Sequence, residues 1–102
     1  MQRVAAQNAL HAMWPIIDAA QSRSLTIEEQ YTLRRLCAVL ASITIPIRDF
    51  TNSVELLRLA IHSSGAFERD GKMQNADRIL EHLIQINELL IVNEPLIRSA
   101  NL

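Results

Sequence analysis

Residues 73–93 read MQNADRILEHLIQINELLIVN, and their spacing decides the fold class. Ala76, Ile79, Leu80, Leu83, Ile86 and Leu90 recur at intervals of three and four, the repeat of one face of an α-helix. The segment predicts a helix from about Met73 to Asn93 with those six side chains facing inward. It also carries more apolar surface than one face requires, in Ile84 and in the run Leu89-Leu90-Ile91-Val92. A short tail helix after Pro95 would bring Leu96 and Ile97 against it.

Working toward the N-terminus, the two glycines of the chain, Gly65 and Gly71, bracket a loop. Before it, a helix is expected from near Asn52, with Glu55 three residues on and Val54, Leu57 and Ile61 along its stripe, until Gly65 stops it. A further helix begins at Thr26. There the hydroxyl of Thr26 and the carboxylate of Glu29 have the S/T-x-x-E spacing of a capping box. Its stripe reads Leu33, Leu36, Cys37, Leu40, Ile43 and Ile47, and Pro46 pushes Ile45 out of helical geometry. The first helix covers about residues 2 to 22 through Ala6, Ala9, Leu10, Met13, Ile17 and Ala20. Pro15 lies inside it, removes a bond to the His11 carbonyl, and is expected to kink or split it.

Composition agrees with helices throughout. Among 102 residues there are 14 leucines, 12 isoleucines and 12 alanines but only four Phe, Tyr and Trp together, so the aromatic content that accompanies sheets is missing. The fold expected is all-α: one domain spanning 1–102, a four-helix bundle-like fold with a possible short extra C-terminal helix. Some supercoiled packing between the second and fourth helices is part of that expectation. The termini show no signal-peptide pattern and no stretch reaches the length of a membrane span, which points to a cytoplasmic protein. The single cysteine, Cys37, excludes an intramolecular disulfide and fits a reducing compartment.

The chemistry-bearing residues do not assemble into a motif. His11, His62 and His82 have no second His or Cys at helical spacing, so no metal ligand set is expected. Arg58/His62 and Arg78/His82 share a four-residue spacing and read as solvated pairs. Cys37 lies in the most apolar stretch, where a thiolate is disfavoured. The seven serines include no G-x-S-x-G elbow, and two glycines cannot build a phosphate cradle. No catalytic residue and no cofactor is therefore expected, and the chain is read as a non-enzyme. Ten Lys and Arg against eleven Asp and Glu leave a formal charge of −1, which disfavours a broad nucleic-acid face.

What remains is recognition of another protein, or of a second copy of this chain. Val39, Ile43, Ile45, Ile84, Leu89, Ile91 and Val92 add up to more apolar surface than the faces of one small bundle cover. Trp14 beside Pro15 and Phe67 in the charged loop are the aromatic candidates, each either packed into the bundle or left for a partner. The partner-binding residues expected are thus Trp14, Val39, Ile43, Phe67, Ile84, Leu89, Ile91 and Val92. The role that fits such a chain is that of an inhibitor, antiactivator or accessory regulator, such as a mobile element encodes, that occludes a partner's surface. The alternative from another class is a small helical nucleic-acid-binding protein or an RNA-directed nuclease.

Overall fold

A computed structural model describes residues 2–95 and 97. Four helices follow in order: α1 (Gln2–Ala19), α2 (Ile27–Ser42), α3 (Phe50–Ser63) and α4 (Ala76–Val92). No strand occurs among the described residues. The helices close a four-membered bundle in which α1 packs against α2 and α4, and α3 packs against α4 and α2. α1 and α4 run antiparallel, since Arg3 pairs with Glu94 at 3.2 Å while Gln7 reaches Asn87 at 3.4 Å.

The stripe that predicted α4 is its buried face: Ala76, Ile79, Leu80, Leu83, Ile86 and Leu90 are all inside. They meet Leu10, Met13 and Ile17 of α1 and Val54, Leu57 and Ile61 of α3 in one continuous core. Ile97 is also buried, and its N–H donates to the Asn93 carbonyl at 3.0 Å, so the tail does fold back on the bundle. Leu96 lies outside the described residues.

α2 starts where its capping box places it. Thr26 Oγ1 accepts from the Glu29 N–H at 3.1 Å, and Glu29 Oε1 accepts from the Thr26 N–H at 2.9 Å. Its end differs from the expectation. The helix stops at Ser42, and Ile43, its C-cap residue, is already extended. From there the pattern has a period of two, with Ile45 and Ile47 buried and Thr44, Pro46 and Arg48 exposed. Pro46 disfavours the helical conformation of the residue before it, and the β-branched run 43–45 suits an extended chain. Part of the apparent excess of apolar surface on α2 is thus a change of period, and Ile45 belongs to the core.

Three further expectations are corrected. Supercoiled packing between α2 and α4 is not found, because the two stand diagonally across the bundle and neither is the other's packed neighbour. Pro15 does not split α1, which continues unbroken to Ala19. α3 begins at Phe50, two residues before Asn52, because the Phe50 ring is itself a core side chain.

The loop 64–75 is fastened at both ends. The Gln74 N–H donates to the Ser64 carbonyl at 2.8 Å, and the Leu25 N–H donates to the Gly71 carbonyl at 2.7 Å. The second bond ties this loop to the turn before α2. Gly71 sits there at φ +66°, and a Cβ would run into the Leu25 carbonyl oxygen.

Candidate functional site: the groove between α1 and α4

Helices α1 and α4 pack against each other, and side chains of both line a groove of about 510 Å³. Leu10 and Leu83 form its floor, both largely withdrawn from solvent. Trp14 forms one lip, and Ile84 and Ile91 form the other. These lip residues are large apolar side chains left 39%, 44% and 53% exposed respectively. Polar groups at the margin come from His11, Asn87 and Glu88. At one end the Gln7–Asn87 hydrogen bond and the Arg3–Glu94 ion pair bridge the two helices.

Helical geometry explains the arrangement. On α4, Ile84 and Ile91 are seven residues apart and stack two turns along one line, shifted from the buried stripe toward α1. On α1, Trp14 is one position beyond the buried Met13, so its ring leaves the core at the bundle edge. The expectation of a tryptophan either buried or exposed resolves into a half-exposed ring at a groove lip.

The eight residues expected at a partner surface do not form one patch. Trp14, Ile84 and Ile91 come together in the α1/α4 groove. Leu89 and Val92 line an adjoining concavity of about 440 Å³, which shares Glu88 with the groove and is closed by Asp49 and Ser53 at the start of α3. Val92 is the more exposed of the pair, at 77%. Val39 is exposed on the outside of α2, and Ile43 is half-buried against the core.

Phe67 folds back instead of projecting. Its ring packs on the core, lies edge-on to the His62 ring with centroids 5.1 Å apart, and is covered by the Arg34 guanidinium at 4.6 Å. That contact also places Arg34, half of the only basic doublet, in a cation–π stack. Beside it, Ile27 and Tyr31 of α2 remain well exposed around a depression of about 200 Å³. Sequence reasoning passed over Leu10 and Leu83 as groove residues because their spacing marks them as core. They are both: each closes the bundle from one side and floors the groove from the other.

No group of three His, Cys, Asp or Glu side chains gathers at metal-binding distance among the described residues. Cys37 is buried, and removal from water pushes its thiol up to about 11, with the Arg58 charge opposing weakly. Glu29 is the other displaced group. The Arg23 guanidinium, bonded to both carboxylate oxygens at 2.7 and 2.8 Å, together with the Thr26 amide, holds it down at about 2. Both groups are explained by packing and capping and lie outside the groove. No described helix is long and apolar enough to cross a membrane.

No family model, curated protein or solved structure matches this chain. The groove is therefore read from its own chemistry.

Proposed function

We propose that this protein is a non-catalytic binding module that regulates a partner protein by covering part of its surface, with the α1/α4 groove as the docking site. The observation that carries this reading is the convergence of Trp14, Ile84 and Ile91 above a floor of Leu10 and Leu83. A half-exposed tryptophan flanked by two half-exposed isoleucines is the composition of an interface centre, apolar in the middle with polar groups at the margin. Covering the exposed part of each lip residue is worth about 1 kcal/mol, a fraction of the roughly 1.5–3 kcal/mol for full burial of such a side chain.

The test is capture of a cellular partner on the immobilised protein, followed by reconstitution of a 1:1 complex from the two purified proteins. Trp14→Ala and Ile84→Glu, each checked for native helix content, are expected to weaken the purified complex at least about tenfold, which corresponds to roughly 1.4 kcal/mol. A partner that binds both variants as tightly as wild type would refute the groove as its site. Retention on heparin that falls steeply with salt would favour the nucleic-acid alternative instead.

A further inference from the structure

We infer that the occupant of the α1/α4 groove is a short cationic amphipathic helix supplied by the partner protein. This rests on the groove being a docking site and adds the partner's chemistry.

Ile84 and Ile91 stand two helical turns apart, about 10 Å along α4, with Trp14 on the opposing wall. A helix presenting apolar side chains at i, i+3 or i+4, and i+7 fits anchors at that separation. Of the α4 positions three, four or seven residues from these isoleucines, Asp77, Glu81 and Glu88 are acidic, and Glu88 lines the groove itself. On α1, Asp18 lies one turn beyond Trp14. All four acids are exposed, and among the described residues none has a cation within ion-pair distance. The basic residue at the far end, Arg3, is engaged by Glu94. Glu88 therefore sets negative charge in the groove wall, and Asp18, Asp77 and Glu81 add three acids beyond its lining toward the end where α1 finishes and α4 begins, against His11 on the lip and the exposed Arg78 beside Asp77. Phosphate backbones and anionic lipid surfaces are repelled by that border. A helix with Lys or Arg flanking its apolar stripe is attracted and steered by it. A second copy of this chain offers a poorer match: the outer face of α2 carries Ile27, Tyr31, Arg34 and Arg35, but the Arg34 guanidinium is already stacked on Phe67 and Glu28 sits in the same first turn.

Trp14 is the only tryptophan, so its emission reads the groove directly. The probes are two tryptophan-free peptides of about 14 residues, roughly 21 Å as helices. One has leucines at helical spacing and lysines elsewhere; the other has glutamate at every lysine position. The lysine peptide is expected to bind saturably with a blue shift of Trp14 emission, more weakly as salt is added. The double variant Glu81→Lys, Glu88→Lys, on exposed positions, is expected to lower its affinity by about tenfold or more while leaving the circular dichroism unchanged.

Equal binding of the glutamate peptide, or no effect of the charge reversal, would overturn the inference. So would sedimentation showing self-association that Trp14→Ala abolishes, since the occupant would then be a second copy. Absence of lysine-peptide binding while a captured partner still depends on Trp14 would sink this inference alone. Loss of the Trp14 dependence as well would remove the docking site itself.

Discussion

Replacing Gly71 by alanine is expected to destabilise the fold by about 2 kcal/mol. Gly71 is held at φ +66°, where an L side chain costs about 1–2 kcal/mol. Its Cβ would overlap the Leu25 carbonyl oxygen and would stand 2.8 Å from Gln30 Nε2 and 3.1 Å from the Leu25 nitrogen. The Gln30 amide can swing away, but the two Leu25 atoms are backbone. Relief requires the loop to retreat, which gives up the 2.7 Å bond from the Leu25 N–H to the Gly71 carbonyl, worth about 1 kcal/mol. The smaller conformational freedom of alanine in the unfolded chain returns about 0.4–1 kcal/mol. Gly65 is the internal control. It too has positive φ, at +80°, but its Cβ would meet the Glu68 side chain and the Lys72 carbonyl oxygen at 3.3 Å, a contact that small shifts absorb. Gly65→Ala is therefore expected to cost about 1 kcal/mol, chiefly from backbone conformation. Urea unfolding followed by circular dichroism measures both, and the Gly71 variant should also melt on the order of 10 °C lower. The reasoning is refuted if Gly71→Ala costs no more than Gly65→Ala.

Other outcomes follow from the caps and the displaced side chains. Thr26→Ala should cost about 1 kcal/mol by removing the hydroxyl that caps α2, measurable in the same urea titration. Glu29 titrates lower in the folded chain, near 2, than in the unfolded one, near the ordinary ~4.3, so its contribution is complete above the unfolded value and disappears as pH falls through the folded one. Wild type should lose stability between about pH 5 and pH 2, and Glu29→Gln should flatten part of that slope; an unchanged slope would count against the Arg23 and Thr26 contacts. Because the Arg23–Glu29 pair is largely solvated, the effect should be small and reduced by salt. Cys37 should resist iodoacetamide at pH 8 in the native protein and react promptly in denaturant, since only the thiolate is nucleophilic. Prompt native reaction would contradict its burial.

The parts of the fold legible in the sequence are those where a single period runs unopposed. α4 announces its six inward residues because no proline or glycine interrupts them, and Thr26 with Glu29 announces the start of α2. The end of α2 is obscured because Ile43 and Ile47 continue a helical spacing by coincidence while also obeying the alternation of an extended chain. Phe50 is hidden beside Asp49 in what reads as a turn. Trp14, Ile84 and Ile91 are individually recognisable as surplus apolar residues. Their meeting in one groove is not, because it depends on α1 and α4 being neighbours in the bundle. Val39 and Val92 have the same local credentials and end on other faces.

The extended segment Ile43–Ile47, with Ser42 before it, also matters when the protein is not folded. Ser-Ile-Thr-Ile-Pro-Ile is rich in β-branched residues and uncharged until Arg48, a composition that pairs readily with copies of itself. In the native bundle Ile45 and Ile47 are sealed in the core, so the hazard exists only while the chain is open. Pro46 interrupts the segment where a stacked strand would need an N–H, and Arg48-Asp49 places charge at its edge. The proline that ends a helix in the folded state thus serves as a gatekeeper in the unfolded one. Its replacement by a β-former such as valine would leave little mark on the native bundle and a large one on the yield of refolding.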